Sequence, residues 1–160
     1  MPSRTTSKRS AGLLPYRRHG SAWQALLVHP GGPFWARKDA GAWSIAKGEY
    51  ALPEPALQAA LREFEEETAH RLPGPFVPLQ PVRLKSGKVI EAWATEADWD
   101  LSTFRSNTFE LEFPTGVVKT YPEVDRIEWF NLDVALHKIH PGQQPLLLQL
   151  QEMLAASVRG

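Results

Sequence analysis

Three glutamates, Glu63, Glu66 and Glu67, are the residues of this sequence whose type and spacing best suit chemistry. A helix turns by ~100° per residue, so these three positions share one side of it. Like charges at this spacing destabilise a helix, and a bound divalent cation would remove the repulsion. Because the ligands are carboxylate oxygens, without His or Cys, Mg²⁺ is the expected ion, and Mn²⁺ could replace it.

A solvent-facing acidic helix is the alternative to a metal site. Charge runs are usually solvated faces, and the segment from Arg62 to Glu67, taken alone, favours that interpretation. Arg62 could pair with Glu66 four residues later, or orient Glu63 beside it. One cation cannot neutralise three carboxylates, however, so a longer pattern has to decide between the two interpretations.

The acids lie on a predicted helix from Glu54 to Arg71. Its start is marked by Pro53 and Pro55, and its end by Pro73. The side chains expected to face the core recur at helical intervals and are Leu57, Leu61, Phe64 and Thr68. The three glutamates then fall on a neighbouring side of the helix, beside small residues that leave room for a ligand.

Short apolar runs bounded by Gly, Pro and Ser predict a series of strands. These runs are Leu13 to Tyr16, Trp23 to His29, Trp43 to Ile45, Val82 to Leu84, Val89 to Thr95, Phe109 to Phe113 and Arg126 to Phe130. Pro15 suggests that the first is an edge strand or a bent one. Further helices are expected over Gln143 to Ala156 and, as a short turn, over Leu132 to Ile139. This order predicts an α/β fold of the α+β kind, with a mixed sheet covered by helices.

Length and composition limit the domain organisation and the partners. The 160 residues, 42% of them hydrophobic, fit one domain over residues 11 to 160 behind a disordered tail of residues 1 to 10. Because 18 Lys+Arg balance 18 Asp+Glu, polymeric nucleic acid is a disfavoured partner. No apolar stretch suits a membrane span or a signal peptide. The absence of cysteine excludes disulfides and thiol chemistry, and fits a cytoplasmic location.

A longer pattern connects the helix to the segment before it. Gly48 is followed after five residues by Glu54, and after seven more by the run from Arg62 to Glu67. This resembles the Nudix box, GX5EX7REUXEEXGU with U an apolar residue, and the chain departs from the box at Ala69 and His70. His70 could touch the metal or the substrate, although the helix dipole alone also favours a histidine in the last turn.

Two flanking segments extend the resemblance. Trp43 to Glu49 resembles the W-x-x-P-K-G segment of Nudix hydrolases that act on dinucleoside polyphosphates and related phosphoanhydrides, with Ala46 in place of Pro. Tyr121 to Phe130 resembles a later strand of the family. Together the matches extend from about residue 11 to about residue 139. They imply a Nudix-type α/β/α sandwich and the hydrolysis of a phosphoanhydride bond.

The resemblance implies a role for each matching residue. Glu66 and Glu67 would ligate the metal, and Glu63 would either ligate it or act as the general base. Arg62 would orient Glu63 and pair with Glu54, which makes Glu63, Arg62 and Glu66 the candidate catalytic residues. The backbone carbonyl of Lys47 would be another metal ligand.

An acid upstream of Trp129 often supplies an additional metal ligand in this family. Glu123 is the candidate for that role, with a solvated loop carboxylate as the alternative.

Substrate binding calls for cations and aromatic side chains. Lys47 is the best placed cation for the phosphates, while weaker choices are Arg37, Lys38 and Lys85. The stacking candidates for a base are Trp35, Trp43 and Tyr121. For each of them a place in the core is the favoured alternative, because aromatic side chains dominate protein interiors.

The leading hypothesis is a metal-dependent hydrolase of a nucleoside diphosphate linked to another moiety, either a dinucleoside polyphosphate or a nucleoside triphosphate. One alternative is a catalytically silent Nudix-fold module that binds a nucleotide, and the intact set of three acids disfavours it. Another is an RNA 5′-end pyrophosphohydrolase, which the zero net charge disfavours. The expected partner is therefore a small nucleotide, and the sequence leaves its identity and the oligomeric state open.

Overall fold

Residues 8–159 are the part of the chain that the computed structural model describes. Their strands and helices are β1 (Arg9–His19), β2 (Ala22–Pro30), β3 (Ala46–Tyr50), α1 (Ala56–Thr68), β4 (Val77–Pro78), β5 (Val82–Arg83), β6 (Val89–Glu96), β7 (Thr108–Glu112), β8 (Val118–Pro122), β9 (Val124–Asn131), α2 (Leu132–Lys138) and α3 (Gln144–Arg159). The predicted strand at Trp43 to Ile45 forms only isolated bridges, between Val28 and Ser44 and between Trp43 and Ile139.

Strand β1 lies inside a mixed sheet whose order is β4-β6-β1-β2-β9. It runs parallel to β6 on one side. On the other side it pairs antiparallel with β3 through its first half and with β2 through its second half. The predicted fold class, a mixed sheet in an α/β protein, is therefore confirmed.

Of the two alternatives predicted from Pro15, an edge strand or a bent one, the edge strand is wrong, because β1 has partners on both sides. Pro15 faces Thr95 of β6 on the parallel side. On the antiparallel side it falls between Leu13, which pairs with β3, and Tyr16, which pairs with β2. Proline has no N–H to donate to a neighbouring strand. An interior strand can tolerate Pro15 because it lies where β1 changes partner.

The helices cover both faces of the sheet. Helix α1 packs on one face, in a core formed by Ala11, Leu13, Leu26, Val28, Ala46, Ala59, Ala60, Phe64, Val124 and Ile127. Helices α2 and α3 pack on the other, where the largest buried side chains are Trp43, Ile139, Leu146, Leu147 and Leu150. This is the predicted α/β/α sandwich. Within residues 8–159, no helix is long and apolar enough to cross a membrane.

Helix α1 is shorter than predicted and rotated relative to the predicted core face. Its buried residues are Ala59, Ala60, Phe64 and Thr68. Leu57 and Leu61 are only partly buried. The two alanines let the helix lie close to the sheet, because their side chains take little space. The carboxylates at positions 63, 66 and 67 are therefore carried close to β3.

Ala69 ends α1 in a left-handed conformation. Its φ is 62°, and its N–H donates a 2.7 Å hydrogen bond to the carbonyl oxygen of Glu65. Glycine is the residue that usually takes this conformation after a helix, because a Cβ is strained there. The alanine that replaces the glycine of the Nudix box thus occupies a position that needs a positive φ.

Strands β7 and β8 form a separate two-stranded sheet, of which only β7 was predicted. Five residue pairs connect them, from Thr108–Pro122 to Glu112–Val118. At the base of this hairpin the N–H of Glu123 donates a 2.8 Å hydrogen bond to the carbonyl oxygen of Asn107. The hairpin is therefore anchored beside β9 and next to α1.

The predicted tail of residues 1 to 10 needs a correction at its end. Arg9 and Ser10 belong to β1 and pair with β3 and β6. Ser10 is fully buried, because β1 is flanked by these two strands. Residues 1–7 lie outside the described part of the chain.

Candidate active site

A cleft of about 410 Å³ lies between α1, β3 and the base of the β7–β8 hairpin. The residues that line it are Lys47, Gly48, Glu49, Glu63, Glu66, Glu67, Asn107 and Glu123. The structure thus brings together all three helical glutamates, Lys47 and Glu123. Two other lining residues, Glu49 and Asn107, were not singled out from the sequence.

Gly48 leaves space for the carboxylate of Glu63. A Cβ built on Gly48 would overlap the Cδ and both carboxylate oxygens of Glu63. The glycine of the box therefore serves the close approach of the β3 backbone to the side chain of Glu63, and not a backbone conformation with positive φ. The side chain of Glu63 is only 14% exposed in this position.

Arg62 organises the carboxylates around it. It binds Glu54 through two hydrogen bonds, from Nε to Oε2 at 2.8 Å and from Nη2 to Oε1 at 2.9 Å. Its Nη1 donates to Oε1 of Glu63 at 2.9 Å and to Oε1 of Glu66 at 3.3 Å. A planar guanidinium can hold several carboxylates in fixed directions, which a lysine ammonium does less well. Glu54 thus holds Arg62, and Arg62 orients Glu63.

Glu67 has a carboxylate oxygen in the interior of the protein. Its Oε2 is buried and has no hydrogen-bond partner within residues 8–159. The pKa of Glu67 is raised to about 9, and burial is the largest cause; the nearby charge of Glu63 contributes to the rise, while Lys47 opposes it. A carboxylate is costly to bury without a partner, so this oxygen calls for a cation.

The pKa of Glu63 is also raised. Burial is the largest cause, the hydrogen bond from Arg62 opposes it, and the charge of Glu66 adds to it. Glu123 raises the pKa values of both Glu63 and Glu67. The acids therefore repel one another across the cleft, as the sequence spacing predicts for three of them.

Lys47 and Lys88 bring positive charge to the same region. Burial lowers the pKa of Lys47, and the charge of Lys88 lowers it further, while Glu67, Glu49 and Glu63 oppose the shift. Lys88 forms an ion pair with Glu49 in which Nζ and Oε2 are 2.9 Å apart. Lys47 of β3 therefore brings a positive charge to the cleft, beside the acidic wall on α1.

Asn107 and Glu123 close the cleft on the side of the hairpin. The N–H of Asn107 donates to the carbonyl oxygen of Glu66 at 2.8 Å. The carbonyl oxygen of Glu123 accepts from the N–H of Gly31 at 2.9 Å. Backbone contacts thus fix Glu123 opposite α1, although its side chain is exposed. Asn107 lies in a loop, and no spacing in the sequence connects it to the helix.

The residues of the cleft fit a divalent metal ion in their chemistry. The available donors are carboxylate oxygens and a backbone carbonyl, which suit hard cations. The unpartnered Oε2 of Glu67 and the close fit of Glu63 against Gly48 support such a site. Among residues 8–159, no three acidic or histidine side chains already form a closed metal cage. Glu63 and Glu66 instead direct one oxygen each to Arg62.

Trp43 is not a stacking surface, and its prediction as a substrate-binding residue is wrong. Its side chain is 1% exposed and lies in the core on the α3 side of the sheet, opposite α1. Its Nε1–H donates to Oδ1 of Asp39 at 2.7 Å. The apolar core required a large side chain here, and sequence alone could not distinguish that need from base stacking.

The other two aromatic candidates, Tyr121 and Trp35, are not buried in the core. Tyr121 is half-buried on β8, and its ring lies 6.0 Å from the ring of Phe109. Trp35 is 38% exposed in the loop after β2, where the Nζ of Lys38 lies 5.3 Å from its ring centre. Neither lines the acid cleft itself, but Tyr121 is two residues from Glu123.

The remaining candidates lie away from the acids. Arg37, Lys38 and Lys85 are exposed and do not line the cleft. His70 follows α1 and stacks on Trp99, with ring centres 4.9 Å apart and planes inclined by 19°. This contact directs the imidazole towards Trp99, which also packs against Phe64 and Trp129, and His70 does not line the cleft.

The chain is similar to known proteins over most of its length. The model of the NUDIX domain family matches residues 6–150. The NUDIX domain of Shewanella oneidensis NrtR, in complex with ADP ribose, is 19% identical, with a TM-score of 0.66 over 94% of this chain and 90% of that one. A C. elegans Ap4A hydrolase binary complex is 20% identical, with a TM-score of 0.66 over 93% of this chain and 98% of that one.

A third solved structure, the Nudix hydrolase RenU of M. smegmatis, is 23% identical, with a TM-score of 0.57 over 96% of this chain and 91% of that one. At these identities the similarity establishes the fold alone. A comparison with curated proteins gave no match. The family model, which covers most of the sequence, establishes that the chain belongs to the Nudix family of pyrophosphohydrolases, whose members generally use divalent metal ions.

Proposed function

We propose that this chain hydrolyses a phosphoanhydride bond in a nucleoside diphosphate linked to another moiety, either a dinucleoside polyphosphate or a nucleoside triphosphate, and that it needs Mg²⁺ or Mn²⁺. One observation carries the proposal. The buried, unpartnered Oε2 of Glu67 lies in a cleft that also contains Glu63 and Glu66. A protein that only needed a stable helix would lose nothing by replacing these repelling acids.

Glu66, Glu67 and the carbonyl of Lys47 would hold the cation, and Glu63 would either ligate it as well or act as the general base. When bound, a divalent cation stabilises negative charge on phosphate oxygens and lowers the pKa of water. Arg62 binds Oε1 of Glu63 and leaves Oε2 to accept a proton from the attacking water. The raised pKa of Glu63 brings this carboxylate nearer to the range in which a general base works well.

Cations of the chain suit the phosphate groups of such a substrate. Lys47 lies at the cleft and is surrounded by Glu49, Glu63 and Glu67, so its ammonium is positioned by charge. It would bind a phosphate oxygen and offset the charge that grows during bond cleavage. The names of two structural neighbours, which mention ADP ribose and Ap4A, support a substrate that contains a nucleoside diphosphate. The cysteine-free composition supports a cytoplasmic location.

A substrate panel tests the proposal. The purified chain is incubated with dinucleoside polyphosphates, nucleoside triphosphates, nucleotide sugars and ADP-ribose, with Mg²⁺, with Mn²⁺ or with a chelator, and the products are separated by chromatography. We expect turnover of at least one nucleotide that requires the cation. Glu66→Gln should lose at least ~100-fold in kcat, as expected for a group acting in the transition state.

Glu65→Gln is the matched control, because Glu65 lies on the same helix but pairs with Arg71 outside the cleft. Its turnover should equal that of the wild type. Full turnover by Glu66→Gln would contradict the proposal. Saturable nucleotide binding without cation-dependent turnover would instead favour the silent binding module. Activity confined to RNA 5′ ends, and falling steeply with salt, would favour the RNA enzyme.

A further inference from the structure

Strand β9 forms one end of the main sheet. Among the strands that the structure describes, β2 is its only partner, and the register runs antiparallel from Gln24–Asn131 to Pro30–Val124. The side of β9 that faces away from β2 is therefore a sheet edge that no described strand covers. Unpaired N–H and C=O groups along such an edge are a template on which another strand can pair.

The backbone groups of Ile127 point to this outer edge. Ile127 lies opposite Val28 of β2 in the register. Both backbone groups of Val28 bind Ser44, because its N–H donates to the Ser44 carbonyl at 2.8 Å and its carbonyl accepts from the Ser44 N–H at 2.9 Å. The pair of Val28 and Ile127 is therefore a non-hydrogen-bonded pair, in which both residues direct their N–H and C=O away from each other. Ile127 thus offers one donor and one acceptor to a further strand.

The residues on either side of Ile127 carry opposite charges. Arg126 and Glu128 lie on the same face of the sheet, because alternate residues of a strand share a face. The side chain of Arg126 is 49% exposed, and its nearest carboxylate oxygen, from Asp125, is 3.8 Å from Nε. Glu128 is exposed and has neither a hydrogen bond nor an ion pair among the residues that the structure describes. The edge therefore carries two charges that are weakly paired or unpaired within one chain.

An antiparallel second copy of β9 would bring these charges together. With Ile127 opposite Ile127, the Arg126 of each copy lies opposite the Glu128 of the other, on one face of the joined sheet. Opposite charges directly across two strands stabilise their pairing, and a two-fold axis repeats the pair on both sides of Ile127. Two charges of the same sign would instead repel a second copy and protect the edge from it. The edge is thus complementary to itself.

We propose that this chain forms a two-fold symmetric dimer in which the β9 strands of two copies pair antiparallel about Ile127, with Arg126 of each copy bound to Glu128 of the other. The two main sheets then become one continuous sheet. The inference goes beyond the proposed function and does not depend on it, because neither charged residue lines the acid cleft. A short strand pair makes a small interface, so we expect association at micromolar or higher concentrations.

Sedimentation velocity of the full chain at low ionic strength, over a series from ~1 to ~300 μM, tests the proposal. The wild type should approach twice the mass of one chain as the concentration rises. Glu128→Lys sets two cations opposite each other on both sides of the axis, so it should weaken association by at least about 10-fold. Arg126→Glu should do the same by opposing two anions.

Glu110→Lys is the matched control, because Glu110 is an exposed strand residue on β7, away from β9. It makes the same change of charge and should associate as the wild type does. Thermal unfolding of each variant shows that it is folded.

An equimolar mixture of Glu128→Lys and Arg126→Glu separates this interface from general effects of charge or stability. In a mixed dimer the two substituted side chains lie opposite each other with opposite charges, and so do the unchanged Arg126 and Glu128. Association of the mixture should therefore recover to within about 3-fold of the wild type. Amide hydrogen exchange gives an independent measurement, because the N–H of Ile127 should exchange more slowly as the wild type becomes more concentrated.

A wild type that stays monomeric over the whole series would overturn the proposal. Unchanged association in Glu128→Lys, an equal loss in Glu110→Lys, or a mixture that stays monomeric would do the same. Exchange at Ile127 that does not depend on concentration, in a chain that dimerises, would show that the copies meet through another surface.

Discussion

Gly48 and Glu63 occupy adjoining space, so that any side chain at position 48 would displace the carboxylate at position 63. Gly48 lies on β3 and Glu63 lies on α1, and fifteen positions of sequence separate them. The contact explains why a glycine begins the motif that ends in the acids. The atoms that would clash belong to the end of a flexible side chain, so the carboxylate can move while the backbone stays in place.

Gly48→Ala should therefore fold and lose activity. A displacement of ~1 Å at a catalytic group can cost ~100-fold, and we expect at least that loss in kcat. The thermal midpoint should change little, because Gly48 does not have a positive φ. Adding Glu63→Gln to Gly48→Ala should lower kcat much less than Glu63→Gln does in the wild type. Independent, multiplicative losses from the two changes would contradict the contact.

Arg62→Lys should lower kcat by ~10- to 100-fold while leaving the thermal midpoint nearly unchanged. Lysine keeps the charge but cannot bind Glu54 through two nitrogens and reach Glu63 and Glu66 at the same time. Because Arg62 positions Glu63, its replacement should also shift the pH at which kcat falls on the acidic side of the pH–rate profile. Arg71→Lys, on the other ion pair of this segment, serves as the control. An unchanged pH profile with reduced kcat would argue against positioning of Glu63.

Ala69→Gly should stabilise the protein. Ala69 has a φ of 62°, where alanine is strained by about 1 kcal/mol relative to glycine. The gain should appear as a higher midpoint in thermal unfolding, with kcat unchanged. Ala155→Gly in α3 is the matched control and should destabilise by roughly 0.5–1 kcal/mol, because it is an exposed residue inside a helix. Equal effects of the two substitutions would contradict the strained helix end.

The metal-free protein should become less stable as the pH rises from ~5 to ~8. Glu67 has a folded pKa of about 9 against an ordinary value of 4.5, so the folded state keeps a proton that the unfolded state has lost. The stability that protonated Glu67 contributes is therefore fully present below its ordinary pKa of 4.5 and is lost as the pH rises towards 9. Glu63 acts in the same direction, and the lowered pKa of Lys47 acts in the opposite one.

Thermal unfolding in a chelator across this pH range measures the effect. Glu67→Gln cannot titrate, so its midpoint should fall less with pH than that of the wild type. Glu65→Gln should follow the wild type, because Glu65 is exposed and pairs with Arg71. Parallel curves for the wild type and Glu67→Gln would show that burial does not hold a proton on Glu67.

The acid cleft was predictable because the helix repeat is short and regular. Positions 63, 66 and 67 share a side of any helix, so their convergence follows from local geometry. The spacing of Gly48 from the acids matched the Nudix box, and this match predicted that the glycine lies beside them. Asn107 could not be predicted in this way, because it reaches Glu66 from a loop that no helical or strand repeat describes.

Apolar patterns predicted most strands but not those whose side chains are polar. Strand β3 contains Lys47, Gly48 and Glu49 and has one buried residue, Ala46, while strand β8 has none, so neither shows an alternating apolar pattern. The predictions for Pro15 and Trp43 failed because a sequence pattern does not show which tertiary neighbours a residue will have. An interior strand tolerates Pro15 because β1 changes partner at that point. Trp43 fills space in the core on the face of the sheet opposite α1.

Binding of Mn²⁺ to the wild type and to Glu67→Gln, followed by electron paramagnetic resonance of the free ion, tests the central claim most directly. We expect the wild type to bind the ion, and Glu67→Gln to bind it at least ~10-fold more weakly, because a carboxylate ligand is lost. Glu65→Gln should match the wild type. Equal Mn²⁺ affinity in the wild type and Glu67→Gln would contradict the account, because the buried carboxylate would then have no cation to hold.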